Sequence, residues 1–550
     1  MSQAAASAGK EWFGHPKGLS TLFFTELWER LSYYGMRAIL VLFMVDQLEN
    51  GGFGLTDGKA AAIYGLYTAG VYLLALPGGW IADRIMGQQK AVFWGGVVIA
   101  AGHFTMALPI IPGLDGLSAP TFYGGLILIV IGTGLLKPNV SAIVGDLYPE
   151  KGAQRDAGFS LFYMGINFGA LLGPLVCSWL GEDYNWHLGF SAAGIGMVFG
   201  LIQYQMGLRH LGDAGTLKNV TPLSVRRDTA KMWAGIAAVV GTIVVVYFLR
   251  DSLGLTVESL AGLTGFLIVG LAVVYFGSIL IFGDLTSLEK KRVFVISLLF
   301  VGAALFWSGF EQAGSSMNLF AERHTNLEGP LVPLFLGLPI LGILLMVLRP
   351  MMPGKVLYGL IGVAAAGLLG WSFFGPGATY VSPTGWLQSV NPMFIIVLAP
   401  VFGWLWVALG SKEPSIPMKF GAGLVLLGLG FLVLAWGSTY ISDNPNGVTP
   451  MWLIFTYFLH TAGELCLSPV GLSSVTKLSP HRLVGQMMGT WFMGASLGNL
   501  IAGLVAGRIE MMEMDDLFRN VALIVIVAGA FFIVFTIPIK AMIGDLKSDE

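Results

Sequence analysis

Charged residues are scarce in this sequence. Only 11% of its 550 residues are Asp, Glu, Lys or Arg, whereas 55% are hydrophobic. Soluble globular proteins carry about 25% charged residues, so the scarcity excludes a protein whose main solvent is water. The formal net charge is −2 and no basic block or tail occurs. The electrostatic surface that nucleic-acid binding requires is therefore not expected.

Several enzyme motifs are also missing. No G-x-x-x-x-G-K-[ST] stretch occurs, so the phosphate-binding loop of a P-loop ATPase is not expected. No H-E-x-x-H pair or Cys/His ligand spacing indicates a metal site. Cys177 and Cys466 both lie in apolar stretches, which argues against a disulfide framework. We therefore expect a protein that is not an enzyme and that has no bound metal ion or cofactor.

Long apolar stretches are abundant. A bilayer core of about 30 Å requires about 20 apolar residues per helix, and this criterion predicts an all-α polytopic membrane protein. The pair 331–348 and 356–374 is short, and a re-entrant or interfacial hairpin is its alternative, so 14–16 transmembrane helices are predicted, with 16 favoured. The predicted spans are 20–46, 60–82, 91–110, 121–146, 157–180, 188–208, 232–249, 259–283, 292–317, 331–348, 356–374, 392–410, 419–437, 451–476, 483–507 and 520–541.

Basic residues predict the orientation of these spans. Cytoplasmic loops carry an excess of Lys and Arg, and most of the 30 lysines and arginines fall on the side of the N-terminus. Five fall on the opposite side, namely Lys59, Arg250, Arg323, Arg508 and Arg519. An even number of spans then leaves both termini in the cytoplasm. The first 18 residues lack the apolar core of a signal peptide, so we expect the first span to be retained.

Polar stretches between the spans predict the domain organisation. The longest of them, 209–231, follows the sixth span. We therefore expect an N-terminal six-helix bundle over 18–210 and a linker with two transmembrane helices over 211–290. A C-terminal six-helix bundle over 291–545 follows, with the hairpin inserted near 331–378.

The first span contains four charged residues in the stretch "TELWERLSYYGMR", residues 25–37. A charge near the centre of a membrane helix costs roughly 2.5–3.5 kcal/mol on insertion scales, so such a stripe must face protein or a water-filled cavity. The alternative to a functional site is a set of ion pairs that fastens this helix to its neighbours. Ion pairing within the helix leaves Arg37 without a local partner, which favours function. The residues that share the face at helical spacing are Glu26, Glu29, Arg30, Tyr33, Tyr34 and Arg37.

Other polar residues lie within spans of both halves. Lys137, Tyr163 and Asn167 belong to the first half, and Trp307, Glu311, Glu464 and Ser468 belong to the second. A cavity between the halves would have Arg37 and Lys137 on one wall and Glu311 and Glu464 on the other. Such walls suit a ligand with a carboxylate at one end and an ammonium group at the other.

Four sequence stretches resemble the proton-dependent oligopeptide transporter family of the major facilitator superfamily. "ELWERLSYYG" is similar to the family's helix-one signature, although Leu31 stands where Phe is usual. "FYMGINFG" (162–169) resembles its helix-five signature, and "GGWIADRIMGQQK" (78–90) resembles the superfamily's loop between helices two and three. "GELCLSPVGLS" (463–473) extends the resemblance nearly to the end of the chain. The resemblance implies the major facilitator fold of two six-helix bundles with additional helices.

The resemblance also implies an activity. It implies a monomeric, proton-coupled symporter in the lipid bilayer of a bacterial plasma (inner) membrane, which imports di- and tripeptides by alternating access. The partners are then peptides, protons and lipid, with the proton as the coupling ion. Animal members carry a histidine in helix two; this chain has none there, so carboxylates are expected to carry the proton. Two alternatives remain open: a major facilitator transporter of another small anion or drug, and a non-transporting peptide receptor.

Specific roles are implied for individual residues. Glu26, Glu29 and Arg30 are expected to form the proton-coupling cluster. Arg37 and Lys137 are expected to face the peptide carboxylate, and Glu464 its ammonium group, while Arg37–Glu311 and Lys137–Glu464 are the expected gating pairs. The remaining expected substrate-binding residues are Tyr33, Tyr34, Tyr72, Tyr163, Asn167, Trp307, Asn391, Ser468 and Trp491. The hairpin is a departure, since bacterial members usually have fourteen helices, and the resemblance assigns it no role.

Overall fold

Helices form nearly the whole chain in the computed structural model, which describes residues 12–148, 152–218, 220–349 and 352–544. These residues contain no β-strand, only three isolated bridges. A helix satisfies its own backbone hydrogen bonds, and this requirement dominates where lipid replaces water. The first half contains α1 (Gly18–Val45), α2 (Asp57–Leu73), α3 (Ala75–Ile81), α4 (Gln88–Ala107), α5 (Ser118–Asp146), α6 (Ala153–Asp183) and α7 (Trp186–Gly207).

Two helices connect this half to the second one. They are α8 (Pro222–Leu249) and α9 (Val257–Phe282). The second half contains α10 (Ser287–Phe310), α11 (Ser316–His324), α12 (Leu331–Leu348), α13 (Gly354–Phe374), α14 (Val390–Leu409), α15 (Ile416–Ser438), α16 (Met451–Leu478), α17 (Val484–Ala506), α18 (Met514–Val534) and α19 (Thr536–Ile543). Its first span is continued from α10 to α11 by the short turn Glu311–Gly314.

The helix count agrees with the predicted fold class. Fourteen helical segments of the described residues are long and apolar enough to cross a membrane. The charged α1 and the shorter α12 bring the number to the sixteen predicted spans, and the structure forms a helix at each of them. The all-α polytopic architecture is therefore confirmed. The predicted boundaries between the bundles and the linker remain a prediction.

Polar caps fix where the connecting helices begin. Thr221, Thr256 and Thr286 stand immediately before α8, α9 and α10, and each side chain accepts a hydrogen bond from the backbone N–H three residues later. A side-chain oxygen at this position satisfies one of the backbone donors that a helix start leaves unpaired. Threonine at the edge of an apolar run therefore sets the start of each span.

The helices pack into two groups. In the first half α1 packs along α6 and α7, and α4 packs against α5 and α7; in the second half α15 packs against α16 and α18, and α10 against α17. The groups meet where α2 crosses α17, and there Gly65 and Gly503 face each other. A Cβ atom on Gly503 would lie only 2.8 Å from the Gly65 Cα. The absence of a side chain therefore lets the two halves touch backbone to backbone.

The two ends of the molecule differ. We call the end at which α1 begins, near Gly18, the first end, and the end at which it stops, near Val45, the second end. At the second end the halves are joined by an ion pair between Asp57 and Arg323, with N–O distances of 2.6 and 2.7 Å. At the first end no ion pair or hydrogen bond joins the halves within the part of the chain that the structure describes. Polar contacts thus join the halves at the second end, and none of the described residues makes such a contact between the halves at the first.

Candidate functional site

The charged face of α1 is buried. Glu26, Glu29 and Arg30 are 3%, 0% and 2% exposed. The Arg30 guanidinium donates to both carboxylate oxygens of Glu29, with Nη2 at 2.6 Å from Oε1, and its Nε lies 3.2 Å from Oε1 of Glu26. A forked arrangement of this kind is the strongest form of carboxylate–guanidinium contact. One cation therefore neutralises two buried carboxylates only in part.

This cluster has the composition that a proton acceptor requires. With both carboxylates ionised its net charge is −1, and a single proton brings it to zero. Oε2 of Glu26 is buried and has no hydrogen-bond partner among the described residues, so one acceptor atom stands free. Rings of Tyr33 and Tyr34 lie 5.1 and 5.8 Å from the guanidinium carbon of Arg30, and they hold the cation in place from its other side.

Arg37, one turn beyond the tyrosines, reaches the other half of the molecule. Its Nη1 lies 2.8 Å from Oε2 of Glu311, the first residue of the turn after α10. Both residues are buried, at 5% and 3% exposure. The Arg37 Nε has no partner in the described structure, so the guanidinium retains one free donor. The structure thus brings together the residues of the first expected gating pair.

The second expected pair is apart. No ion pair joins Lys137 and Glu464, although the structure describes both residues; instead the Lys137 Nζ lies 4.0 Å from the centre of the Tyr72 ring. Glu464 accepts a hydrogen bond from Nδ2 of Asn391 at 3.3 Å, and the same amide donates to Thr461 at 2.9 Å. Lys137 and Glu464 are therefore held by neighbours within their own halves.

An exposed tyrosine lies near these groups. Tyr163 on α6 is 41% exposed, and Glu464 of the other half and Tyr34 of α1 act on it electrostatically. Tyr34 in turn lies within the fields of Arg30 and Arg37 and of Glu311 and Glu464. The charged groups of both halves converge on one region.

The other predicted pocket residues are placed less uniformly. Tyr72, Trp307, Asn391 and Ser468 are half-buried, and Tyr33 and Asn167 are buried; the amide of Asn167 donates to the Tyr163 carbonyl at 2.9 Å. Trp491 packs within the second half, where it lies against Gly471 of α16 and the ring of Phe420. Its predicted contact with a ligand, like the roles of the other predicted site residues, stays a prediction.

Sequence reasoning missed several residues near the site. Tyr64 is fully buried, its hydroxyl has no partner among the described atoms, and it packs so closely on Gly314 that a Cβ there would meet it at 2.1 Å. The tyrosine-rich stretch of α2, "YGLYTAGVY", carries the only signal that could have indicated it. Thr461, which shares the Asn391 amide with Glu464, lies one turn before Glu464 and was found only from the structure.

A second unpredicted contact closes the second end. The carboxylate of Glu182, at the end of α6, accepts backbone N–H groups from Thr384 at 2.6 Å and Gly385 at 3.0 Å. The neighbouring Asp183 accepts a hydrogen bond from the hydroxyl of Tyr380 at 2.9 Å.

Among the described residues, no group of three or more His, Cys, Asp or Glu side chains is arranged to hold a metal ion.

Known proteins similar to this chain are transporters. The chain matches the sequence profile of the POT family over residues 89–334 and 377–521. It is 35% identical to the peptide transporter YePEPT of Yersinia enterocolitica, with 98% of each chain covered, and 33% identical to a di-/tripeptide transporter of Lactococcus lactis, again with 98% of each chain covered. A crystal structure of the peptide transporter POT in complex with sulfate superposes with a TM-score of 0.81 at 38% identity, covering 98% of each chain.

Proposed function

Because the chain belongs to the POT family, it is a multi-pass membrane transporter and not an enzyme, and we propose that it imports di- and tripeptides together with protons. The expected family and fold class are thereby confirmed. The relatives named as peptide transporters support peptides as the substrate class. Proton coupling and orientation are parts of the proposal that rest on the residues themselves, and the monomeric state rests on the family resemblance.

One observation carries the proposal: opposite charges from the two halves of the chain converge on one region around Tyr34, and Tyr163 is exposed beside it. Arg37 of the first half lies there in an ion pair with Glu311, and Glu464 of the second half lies close enough to act electrostatically on Tyr163. A zwitterionic peptide has one group for Arg37 and one for Glu464. Contacts of this kind bind the terminal carboxylate and ammonium groups of a peptide and not its side chains, so we expect broad selectivity among short peptides.

Binding would rearrange the pairs seen in this conformation. A peptide carboxylate at Arg37 competes with Glu311 for the guanidinium, and an ammonium group at Glu464 competes with the amide of Asn391. A proton on Glu26 or Glu29 brings the Arg30 cluster to neutrality. If these events occur together, the free energy of the proton gradient is linked to peptide movement without ATP.

The contacts at the two ends of the molecule indicate which side of the membrane this conformation faces. The excess of basic residues on the side of the N-terminus supports the proposal that the first end and both termini are cytoplasmic, in the plasma membrane of a bacterium. Among the described residues, ion pairs join the halves towards the second end and none does so at the first, which supports an inward-facing conformation. Alternating access around a central site is the general mode of transporters built from two repeated halves.

Uptake into proteoliposomes tests the proposal. Dialanine is expected to accumulate against its concentration gradient when the outside is acidic, and a protonophore is expected to abolish the accumulation. Free alanine serves as the control and is expected to compete poorly, because its termini are too close together to reach both charged groups. Accumulation that survives the protonophore would remove the proton from the mechanism, and competition by nitrate but not by peptides would favour the anion transporter.

A further inference from the structure

An open groove runs between α1 and α7 on the outer surface of the first half, at the first end. Its volume is about 570 Å³, and its lining includes Trp28, Phe199 and Arg209. Trp28 packs on Phe199 with ring centres 5.5 Å apart. It projects from α1 away from the buried cluster of Glu29 and Arg30, so the groove is separate from the candidate transport site.

The apolar part of the groove has the length of one lipid leaflet. Phe199, Ile202 and Met206 follow one another at helical spacing along α7, and they are 52%, 52% and 71% exposed. At 1.5 Å per residue, the distance along the helix from Phe199 to Arg209 is about 15 Å. Half of a bilayer core of about 30 Å is also about 15 Å. One acyl chain extended from the membrane surface therefore matches this lining.

Polar side chains in the floor of the groove satisfy one another. The Gln203 amide donates to the Thr21 carbonyl and accepts from the Thr25 hydroxyl, both at 3.3 Å. Thr21 also donates to the carbonyl of Gly207 at 3.3 Å. These bonds join α1 to α7 and pair the side-chain oxygen of Gln203 and the hydroxyls of Thr21 and Thr25.

The open end of the groove is basic. Arg209 and His210 line it, and Lys17 lies close enough to act on His210 electrostatically. In the described part of the chain neither Arg209 nor Lys17 forms an ion pair, and no carboxylate lines the groove. The carbonyl of His210 lies against Gly18, which holds the start of α1 and the end of α7 together. The result is a pair of cations, Lys17 and Arg209, beside the His210 imidazole at the level of the lipid headgroups.

We propose that this groove binds an anionic phospholipid of the leaflet at the first end. Its phosphate lies between Lys17, Arg209 and His210, and one acyl chain extends along Trp28 and the exposed face of α7. Charge complementarity selects this occupant, because the headgroup of a zwitterionic lipid brings its own cation next to Lys17 and Arg209. Anionic lipids are enriched in the cytoplasmic leaflet, where basic residues attract them.

Native mass spectrometry of the full-length protein tests this site. The detergent-purified protein is titrated with phosphatidylglycerol or with phosphatidylcholine of the same acyl chains, and the bound fraction is measured. We expect tighter retention of phosphatidylglycerol. Arg209→Gln is expected to weaken that retention about fivefold, the typical contribution of one basic residue near an anionic lipid. The matched control is Arg226→Gln, since Arg226 is an exposed arginine at the start of α8 and should leave retention unchanged.

A second variant tests the apolar part. Ile202 is half exposed, so Ile202→Trp fills the groove without disturbing the core, and it is expected to reduce the binding of both lipids. Glycerol 3-phosphate, which has the headgroup charge but no acyl chain, should fail to displace phosphatidylglycerol. Equal retention of the two lipids, unchanged retention in Arg209→Gln, an equal loss in Arg226→Gln, or displacement by glycerol 3-phosphate would each overturn the proposal. So would a protein dimer that covers the groove in lipid-free detergent.

Discussion

The ion pair between Arg37 and Glu311 can be tested with a double-mutant cycle. The charged atoms lie 2.8 Å apart and both residues are at most 5% exposed. For charge centres about 4 Å apart and an effective dielectric constant of about 20, the Coulomb attraction is about 4 kcal/mol. Desolvation of both ions opposes it, so the net value of the pair is smaller than this attraction. Each single variant nevertheless leaves one buried charge without its partner.

We therefore expect Arg37→Met and Glu311→Gln each to destabilise the protein by about 3 kcal/mol, within the range known for broken buried ion pairs. The double variant leaves neither charge and should recover part of the loss, which gives a coupling free energy of about 2 kcal/mol or more. The free energy of unfolding is measured for all four proteins in the same detergent.

The matched control is the pair Arg250 and Asp251, whose side chains are 48% and 89% exposed. The same cycle, with Arg250→Met and Asp251→Asn, should give a coupling below about 1 kcal/mol, because solvent screens exposed pairs. A coupling between Arg37 and Glu311 no larger than that of the control would refute the reasoning, since it would mean that the two charges do not depend on each other in the dominant conformation.

Three further outcomes follow from the site and the packing. Glu29→Gln removes a carboxylate that Arg30 holds, so gradient-driven uptake should be lost while counterflow exchange continues; unchanged gradient-driven uptake would exclude Glu29 from the proton step. Glu464→Gln should raise the KM for dialanine at least tenfold more than that for N-acetyl-dialanine, measured by competition, and equal losses would count against the ammonium contact. Gly65→Leu places a side chain against the backbone of α17 and should lower the melting temperature through overpacking of about 1–3 kcal/mol; Gly241→Leu, in open space on α8, is the control.

The helices and the charged face could be predicted from the sequence because both follow from the solvent. A membrane span must be about 20 residues long and apolar, and burying a charge in it costs free energy. The four charged residues of α1 could therefore be recognised as unusual from the sequence alone. Asn391 illustrates the same logic less directly. It was placed in the site from the resemblance, across the inserted hairpin, and its amide does lie on the Glu464 carboxylate.

What the sequence did not predict depends on the spatial relation of the two halves. The Glu182 carboxylate accepts hydrogen bonds from the backbone N–H groups of Thr384 and Gly385. Almost every residue has such a donor, so no pattern of side chains predicts this contact. Tyr64 was overlooked for a related reason. It packs against Gly314, where the contact is possible because glycine has no side chain. Contacts made through backbone or through missing side chains leave no mark in composition or periodicity.

The state of the two expected gating pairs depends on conformation and not on local sequence. In this structure the halves are held towards the second end by the ion pairs Arg37–Glu311 and Asp57–Arg323 and by the hydrogen bonds of Glu182. Lys137 instead contacts the ring of Tyr72, and Glu464 accepts a hydrogen bond from Asn391. Opening the second end must break a buried ion pair, which alone would cost several kcal/mol. A transporter needs both conformations to lie within a few kcal/mol of each other. We therefore expect the opposite conformation to form Lys137–Glu464 as Arg37–Glu311 separates, since the exchange of one buried pair for another keeps the two states close in free energy.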